Sequence, residues 1–227
     1  MVVFITGGLG GLGLETVRRF HKEGCKVAIA DIDSPDKVDH LKAELGGDRL
    51  LYFQCNISNE EDVKSAIEGT AKQWGTIHVA ITCAGITRPM LTLSRNGPFN
   101  SDVFKKLFEI NVYGSLYVAK HAAVLMSKNK PVNDKGERGV IIFVSSIAAE
   151  EGQRGQISYS ATKGAINGLV MPMARDLGRF GIRCAAIAPG IIETPMFTKK
   201  DPKIKARLKR DTPMGRLGSP EEFAHFA

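Results

Sequence analysis

Several common features are missing from this 227-residue sequence, and each absence excludes a class of protein. No apolar run reaches the length of about eighteen residues that a transmembrane helix needs. The first residues form an apolar segment, Met1–Ile5, without the basic leader and small-residue cleavage site of a signal peptide. No low-complexity linker or internal repeat divides the chain. These absences predict one soluble, intracellular domain with no membrane partner, in the mitochondrial matrix or the cytoplasm.

Cysteine is scarce. The four cysteines are separated so that they form neither a C-x-x-C pair nor a cluster with metal-ligand spacing, and each lies in or beside an apolar stretch: Cys25, Cys55, Cys83 and Cys184. This pattern is typical of buried, reduced thiols in an intracellular protein. We therefore expect no disulfide and no metal site.

What the sequence does contain is an alternation of short apolar runs with longer amphipathic segments. The predicted strands are Val2–Ile5, Lys26–Ala30, Leu50–Gln54, His78–Thr82, Val140–Val144 and Arg183–Ala188. The predicted helices are Leu12–His21, Pro35–Leu45, Glu60–Gln73, Phe104–Met126 and Ser158–Phe180. The alternation carries no hairpin signals, and two polar stretches, Thr87–Ser101 and Ser127–Gly139, are predicted as surface loops.

Alternating strands and helices of this kind predict a single α/β domain over residues 1–227. Val- and Ile-rich strands favour a parallel sheet covered by helices on both faces. Right-handed crossovers then give a Rossmann-like, doubly wound sheet. Such sheets bind ligands beyond the carboxyl ends of their strands, and the motifs described next all fall there.

A glycine-rich segment, Thr6–Gly13, stands between the first predicted strand and the first helix. Glycines allow a tight turn and a close approach of the backbone to a pyrophosphate, and the helix N-terminus offers unpaired N–H groups to the phosphates. A tight turn without a ligand is the alternative. The order strand, glycine loop, helix favours a dinucleotide site.

Asp31 directly follows the second predicted strand, eighteen residues after Gly13. A carboxylate there accepts hydrogen bonds from the adenine-ribose hydroxyls, whereas the alternative is a plain turn residue. A 2′-phosphate would meet like charge, at a cost of about 4 kcal/mol per unit charge at ~4 Å and an effective dielectric of ~20. Asp33 adds negative charge, and no Arg or Lys lies in the glycine loop or directly after Asp31. The predicted cofactor is NAD rather than NADP.

Tyr159 and Lys163 form a Tyr-x-x-x-Lys segment at the start of a long predicted helix. Four residues advance a helix by about 6 Å, so both side chains share one face. A nearby cation stabilises a phenolate and lowers the pKa of the tyrosine, which would make it a usable base. A surface pair is the alternative. Ser145 and Ser146 end the fifth predicted strand, and Asn111 interrupts an apolar helix.

Together these motifs resemble the short-chain dehydrogenase/reductase family over almost the whole chain. The residues that carry the resemblance are Thr6, Gly7, Gly11, Gly13, Asn111, Ser146, Tyr159, Lys163, Pro189, Gly190 and Thr194. The resemblance implies an enzyme that interconverts a secondary alcohol and a ketone with NAD. Tyr159 would be the acid/base, and Lys163 would lower its pKa and hold the nicotinamide ribose. Ser146, rather than Ser145, would orient the substrate oxygen, and Asn111 would support a water-linked proton relay.

The resemblance also implies the remaining site residues. The substrate would contact Ser146, Gln156 and Tyr159. The cofactor would contact Thr6, Gly7, Gly11, Leu12, Gly13, Asp31, Ile32, Asn56, Ile57, Cys83, Ala84, Gly85, Tyr159, Lys163, Pro189, Gly190, Ile192 and Thr194. Residues 191–215 would form a mobile substrate lid.

Within the family, several stretches are similar to the type 2 3-hydroxyacyl-CoA dehydrogenase subfamily: Arg138–Ile142, Glu151–Gln156, Met171–Leu177 and Arg216–Gly218. This similarity implies a (3S)-3-hydroxyacyl-CoA or hydroxysteroid substrate and a homotetramer.

The chain departs from the family in three places. Thr82–Gly85 replaces the usual Asn-Asn-Ala-Gly, Asn56 replaces an adenine-contacting Asp, and no strand follows the helix that Pro220 opens.

The net charge is +7, and seven Lys or Arg lie between Lys199 and Arg210, inside the predicted lid. These cations either clamp the phosphates of a CoA nucleotide or form a solvated helix face.

Three further functions stay open. Two are enzymatic, a 3-oxoacyl-carrier-protein reductase and a hydroxysteroid or short alcohol dehydrogenase. The third is a scaffold in an RNA-processing complex, although no RNA-binding motif is visible and nucleic acid is not expected.

Overall fold

A computed structural model describes residues 1–198 and 202–227 of the chain. The strands are β1 (Val2–Thr6), β2 (Lys26–Asp31), β3 (Leu50–Gln54), β4 (Val79–Thr82), β5 (Leu93–Ser94), β6 (Gly97–Pro98), β7 (Gly139–Val144) and β8 (Ile182–Ile187). The helices are α1 (Gly11–Lys22), α2 (Asp36–Leu45), α3 (Glu60–Trp74), α4 (Ser101–Phe108), α5 (Gly114–Met126), α6 (Ile157–Gly178), α7 (Pro195–Thr198), α8 (Pro202–Asp211) and α9 (Pro220–Phe226).

The main sheet has the strand order β3-β2-β1-β4-β7-β8, and all of its pairs are parallel. The order reverses between β1 and β4, because the chain winds first to one side of β1 and then to the other. Ligands of doubly wound sheets bind beyond the carboxyl ends of the strands at such a reversal. The predicted Rossmann-like fold class is therefore confirmed, and the fold places the site above β1 and β4.

Two hydrophobic layers hold helices on the two faces of the sheet. On one face, Phe4 and Phe143 are fully buried in a layer that also contains Val118 of α5 and Ile166 of α6. The other face carries Val3, Ile5 and Ile29 with residues from α1, α2 and α9. Successive residues of one strand enter opposite layers, as the alternation of side chains in a strand requires. Each large side chain buried in this way contributes roughly 1.5–3 kcal/mol.

The predicted helix Phe104–Met126 consists of three segments. It begins three residues early, at Ser101, because the Asn100 side chain accepts a hydrogen bond from the Asp102 N–H at 2.7 Å and caps α4. A π-helical turn, Glu109–Tyr113, then separates α4 from α5. Such turns interrupt α-helices most often at functional sites, and this one contains Asn111.

The predicted surface loop at residues 87–101 contains a short hairpin, for which the sequence carries no signal. Strands β5 and β6 pair there in antiparallel register, Leu93 opposite Pro98 and Ser94 opposite Gly97. Gly97 has φ +105°, which favours glycine in the tight turn. Two-residue strands leave no alternating pattern in the sequence, so periodicity did not indicate them.

Backbone hydrogen bonds join the beginning and the end of the segment Ile191–Gly218. Glu193 donates to the Gly218 carbonyl at 2.8 Å, and Gly218 donates to the Ile191 carbonyl at 3.1 Å. Phe197 and Leu208 are buried there against Leu217. Of the predicted lid and its basic stretch, Lys199, Lys200 and Asp201 lie outside the described residues.

Pro220 opens α9, as expected. Ser219 and Glu222 form a reciprocal capping box at its start, and the helix packs against α1. Among the helices of the described ranges, none is long and apolar enough to cross a membrane.

Candidate active site

The glycine loop leaves no room for side chains at two of its positions. A Cβ atom on Gly13 would lie 2.1 Å from the Gly7 carbonyl oxygen, and one on Gly7 would lie 2.8 Å from the Ala84 Cα. Gly7 also has φ +66°, which L-residues with side chains rarely adopt. At the N-terminus of α1, Gly10 has no side chain that could cap the helix. The result is a bare backbone cradle that fits the pyrophosphate of a dinucleotide.

Asp31 lies at the end of β2 beside this cradle. One oxygen of its carboxylate accepts a hydrogen bond from the Leu9 N–H at 2.9 Å, and the other accepts one from the Asp33 N–H at 3.1 Å. Asp31 is buried, with 9% of its surface exposed, yet it forms part of the cleft wall. Its fixed negative charge therefore faces the place where an adenine ribose would lie.

A cleft of about 600 Å³ runs from Asp31 along the carboxyl ends of the strands. Most of the predicted cofactor and catalytic residues line it: Gly7, Gly11, Leu12, Asp31, Ile32, Asn56, Ile57, Cys83, Ala84, Gly85, Ser146, Tyr159, Lys163, Pro189, Gly190, Ile192 and Thr194. The wall also contains residues that the sequence analysis did not single out, among them Ile86, Thr87, Ile110, Ile191, Pro195 and Phe197. For several of these residues, an apolar side chain shortly after the end of a strand was the sequence feature that could have predicted a place in the cleft wall.

Four predicted residues lie outside the cleft wall. Thr6 and Gly13 support the cradle from below: the Thr6 hydroxyl accepts a hydrogen bond from the Ala84 N–H at 3.2 Å, and Gly13 lies under the Gly7 carbonyl. Asn111 is buried behind the wall. Gln156 precedes α6, and its side-chain oxygen accepts a hydrogen bond from the Gln153 N–H at 2.8 Å. Its predicted contact with substrate stays a prediction.

Tyr159 and Lys163 lie on the same face of α6, as their spacing predicts. The Lys163 ammonium is 5.5 Å from the centre of the Tyr159 ring and donates a hydrogen bond to the Val144 carbonyl at 2.7 Å. Burial lowers the pKa of Lys163 to about 8, although the thiol of Cys83 opposes this shift. The ammonium is held between the end of β7 and the phenol, where a nicotinamide ribose would also be within its reach.

The protein's own groups raise the pKa of Tyr159, whereas the sequence predicts that Lys163 and an oxidised nicotinamide together lower it. The cause is burial of the phenol, and a hydrogen bond with the Ser146 side chain opposes it. With the protein's own groups, Tyr159 therefore keeps its proton at neutral pH, as an acid that protonates a ketone oxygen must. The opposite direction of reaction needs a further cation beside the phenol, as electrostatic stabilisation of a phenolate requires.

The two serines at the end of β7 have different partners. The Ser146 hydroxyl faces Tyr159 and accepts a hydrogen bond from the Ala148 N–H at 3.1 Å, which caps a short 3-10 helix, Ile147–Ala149. The Ser145 hydroxyl is buried and donates to the Lys163 carbonyl at 3.3 Å. Of the two hydroxyls, that of Ser146 is the one that opposes the rise in the pKa of Tyr159, and its predicted role toward the substrate oxygen stays a prediction.

Asn111 is almost fully buried, and its side-chain amide is bound on both sides. Its oxygen accepts a hydrogen bond from the Ile86 N–H at 2.8 Å, and its nitrogen donates to the Ile86 carbonyl at 2.9 Å and to the Thr162 hydroxyl at 3.1 Å. Ile86 is part of the cleft wall. The Asn111 amide thus joins the wall of the cleft to α6, and the predicted proton relay stays a prediction.

These features together define the class of the protein. A bare glycine cradle, an acidic strand end and a Ser-Tyr-Lys set, with the lysine buried, lie along one cleft of a doubly wound sheet. A cradle of this kind holds a dinucleotide, and a phenol with a hydroxyl and an ammonium beside it can move a proton at the carbon-bound oxygen of a substrate. The fold and the site are those of a dinucleotide-dependent α/β oxidoreductase.

Comparison with known proteins agrees with this class. A sequence model of the family described as Enoyl-(Acyl carrier protein) reductase matches residues 7–227. The 3-hydroxyacyl-CoA dehydrogenase type-2 of Drosophila melanogaster is 37% identical over 228 residues, which cover 99% of this chain and 88% of the relative. The protein of the same name from Homo sapiens is 36% identical over 229 residues, covering 100% and 87%.

A solved structure is similar over the same length. The crystal structure of 3-hydroxyacyl-CoA dehydrogenase type-2 from Mycobacterium avium superposes with a TM-score of 0.92 at 36% identity, covering 99% of this chain and 87% of that chain. The chain therefore belongs to the short-chain dehydrogenase/reductase family. It is an oxidoreductase that acts on CH–OH groups with a nicotinamide cofactor.

Proposed function

We propose that the protein is an NAD-dependent dehydrogenase that interconverts (3S)-3-hydroxyacyl-CoA and 3-oxoacyl-CoA. The observation that carries the substrate is the similarity, over 99–100% of the chain, to relatives named 3-hydroxyacyl-CoA dehydrogenase type-2. The reaction class rests on the residues themselves, since Ser146, Tyr159 and Lys163 lie together on one cleft.

The chain's own groups handle the hydroxyl proton. In the oxidation direction, Ser146 donates a hydrogen bond to the substrate oxygen while the Tyr159 phenolate takes the hydroxyl proton. Lys163 and the positive charge that an oxidised nicotinamide would bring to the site together stabilise the phenolate. A bound oxidised nicotinamide supplies the acceptor for the hydride that leaves the carbinol carbon. In the reduction direction, Tyr159 returns the proton to the ketone oxygen.

The choice of NAD is supported by Asp31. Its carboxylate is buried and bound to the glycine loop by the Leu9 N–H, so it cannot swing away from a 2′-phosphate. Asp33 pairs with Lys37 at 2.6 Å, so the nearby lysine does not offer an unopposed positive charge to that phosphate. The fixed carboxylate of Asp31 therefore favours a ribose with free hydroxyls.

The substrate end of the cleft has both apolar and cationic surroundings. Ile86, Ile110 and Phe197 form an apolar wall that suits an acyl chain. Helix α8, which follows α7 of the lid, carries Lys203, Lys205, Arg207, Lys209 and Arg210. Its Leu208 is buried against Phe197, so these cations are held near the cleft and could receive the phosphates of CoA.

A homotetramer is part of the same proposal. A groove of about 470 Å³ lies between α5 and α6, and its floor is largely apolar, including Leu169, Met173 and Leu177. Val124 beside it is 55% exposed. An apolar groove on two long helices is the kind of surface that a second copy of the chain would bury.

The cysteines bear on the compartment. All four are free thiols, which supports a reducing compartment such as the mitochondrial matrix or the cytoplasm.

The experiment is a nicotinamide absorbance assay with acetoacetyl-CoA that compares NADH with NADPH. Rapid oxidation of NADH with little oxidation of NADPH is expected. Tyr159→Phe should abolish turnover, while Tyr113→Phe, which removes an exposed phenol on the π-helical turn, serves as the matched control. Turnover with NADPH alone would overturn the choice of NAD and favour a carrier-protein reductase. No turnover with acetoacetyl-CoA, together with turnover of a hydroxysteroid or a short alcohol, would overturn the substrate.

The same variant separates an enzyme from a scaffold. If the biological role depends on catalysis, it is lost in Tyr159→Phe at unchanged protein abundance. If the chain serves only as a subunit of a larger complex, such as one that processes RNA, the role persists in that variant.

A further inference from the structure

A buried chain of hydrogen bonds connects the wall of the cleft to the backbone of Tyr159. It starts at Ile86, whose N–H and carbonyl are both bound by the Asn111 side chain at 2.8 and 2.9 Å. The Asn111 amide then donates to the Thr162 hydroxyl at 3.1 Å. Thr162 in turn donates to the Tyr159 carbonyl at 2.7 Å. Both polar groups in the middle are buried, Asn111 with 1% and Thr162 with 0% exposure.

We infer that Thr162 is a positioning residue for Tyr159, an inference that rests on the proposed function. Among the residues that the structure describes, its hydroxyl makes the one hydrogen bond between α6 and the Asn111 amide. Ile86 lines the cleft beside Gly85, where the reacting part of the cofactor would lie. Thr162 therefore fixes the distance between the proton-transfer group and the opposite wall. Thr162 itself is fully buried and is not part of the cleft wall, whereas Tyr159 and Lys163 line it.

A threonine inside a helix often bonds only to the preceding turn of its own helix, without further consequence. Thr70 in α3 provides that comparison, because it is also fully buried and its hydroxyl donates to the Ala66 carbonyl at 2.8 Å. Thr162 differs in that it also accepts a hydrogen bond from Asn111, 51 residues away in sequence. A valine at 162 keeps the shape but takes away the acceptor, and it leaves an amide N–H of Asn111 with one partner fewer in a buried site.

Small displacements of a proton-transfer group lower turnover more than they weaken binding, because the geometry matters most in the transition state. Displacing Tyr159 also moves the phenol relative to Ser146, whose side chain opposes the rise in the pKa of Tyr159. Two signatures therefore follow for Thr162→Val. The turnover number kcat falls while KM stays, and the pH midpoint of alcohol oxidation moves upward.

The test compares four proteins, the wild type, Thr162→Val, Thr162→Ser and the matched control Thr70→Val. Measurements are kcat and KM for acetoacetyl-CoA, NADH affinity by fluorescence, the pH profile of oxidation, and Tm. Thr162→Val is expected to lower kcat by about tenfold or more, a loss that corresponds to about 1.4 kcal/mol. Thr162→Ser restores most of the turnover because it keeps the hydroxyl. Thr70→Val lowers Tm without changing kcat or the pH midpoint.

Unchanged kcat and pH midpoint in folded Thr162→Val would overturn the inference, and so would an equal loss of kcat in Thr162→Ser. If Thr162→Val does not fold, Thr162→Ala replaces it in the comparison with Thr162→Ser. Absence of turnover in the wild type would count against the proposed function as well, whereas normal turnover in both wild type and Thr162→Val would count against Thr162 alone.

Discussion

The carboxylate of Asp31 and the backbone N–H of Leu9 are joined by a hydrogen bond of 2.9 Å. This bond ties the end of β2 to the glycine loop that follows β1, and both elements face the adenosine end of the cleft. The carboxylate is therefore already oriented by the protein. A cofactor that needs a free ribose hydroxyl meets a fixed acceptor, and one with a 2′-phosphate meets a fixed negative charge.

Asp31→Asn is expected to narrow the preference for NADH over NADPH. The amide keeps an acceptor for the Leu9 N–H but removes the charge, and charged hydrogen bonds are worth about 1.5–3 kcal/mol. The ratio of kcat/KM for the two cofactors should fall by at least about tenfold. Asp39→Asn, which changes an exposed acid on α2, is the matched control. An unchanged ratio in Asp31→Asn would show that cofactor choice is made elsewhere.

Gly13→Ala is expected to disrupt the phosphate cradle. Its new methyl group would lie 2.1 Å from the Gly7 carbonyl oxygen, so the loop or α1 must move. Affinity for NADH, measured by fluorescence titration, should fall by at least about tenfold. Gly47→Ala is the control, because this exposed glycine has only ordinary contacts with Lys42. It should preserve binding and raise stability slightly, by about 0.4–1 kcal/mol. Normal NADH affinity in Gly13→Ala would contradict the cradle.

Much of the fold could be predicted from the sequence because buried parallel strands are short apolar runs with clear limits. The strand Leu50–Gln54 and the helix start at Glu60 were placed to the residue. The π-helical turn around Asn111 and the hairpin at Leu93–Pro98 could not be predicted. The π-helical turn adds one residue to a helix whose apolar pattern is otherwise regular, and the two-residue strands of the hairpin leave no alternating pattern. Tertiary contacts therefore determine where both of them form.

The site was predictable where function restricts the residue type and only partly elsewhere. A Cβ atom on Gly7 or Gly13 would lie less than 3 Å from a neighbouring backbone atom, so only glycine fits there. Such a restriction produces a sequence motif that can be recognised. The direction of the pKa shift of Tyr159 was not predictable, because it depends on burial of the phenol rather than on its spacing from Lys163. Thr162 was likewise missed, since a hydrogen bond to Asn111 across 51 residues leaves no local signal.

Ser146→Ala is expected to impair catalysis, whereas Ser145→Ala is expected to impair mainly stability. The Ser146 side chain opposes the rise in the pKa of Tyr159, so its loss should lower kcat by about a hundredfold and raise the pH at which alcohol oxidation reaches half its maximum. Ser145 is buried and bonds with the Lys163 carbonyl, so its loss should mainly lower the free energy of unfolding, by about 1–3 kcal/mol. Steady-state kinetics and urea unfolding on both variants test this. Equal kinetic losses would contradict the assignment of Ser146.

Neutralising the basic stretch of the predicted lid tests the proposed phosphate clamp. Lys199, Lys200 and Lys203 are changed together to Gln, and KM is compared for acetoacetyl-CoA and for an uncharged ketone. A clamp raises KM for the acyl-CoA alone, by about tenfold, because only that substrate carries phosphates. Raising the salt concentration should have the same selective effect in the wild type. Equal changes for both substrates would mean that these lysines form a solvated face.

Burial of the Lys163 ammonium should make the stability of the protein depend on pH in the alkaline range. Its pKa is lowered to about 8 in the folded protein, whereas the ordinary lysine value is 10.5. Between these values the unfolded chain binds more protons than the folded one, so the contribution of Lys163 to stability increases as pH rises. Below pH 8 the full penalty of the buried charge remains.

Urea unfolding of the wild type and of Lys163→Met at pH 7.5, 8.5 and 9.5 measures this contribution. Subtracting the two free energies removes most effects of other groups, including the cysteines whose pKa burial raises. The difference should move in favour of the wild type by up to about 1.4 kcal/mol per pH unit above pH 8. Lys128→Met, at an exposed lysine, gives the baseline for loss of a lysine. A flat difference for Lys163→Met would mean that the ammonium is solvated in the folded protein, and the close packing of Lys163 against Tyr159 and Val144 would then be wrong.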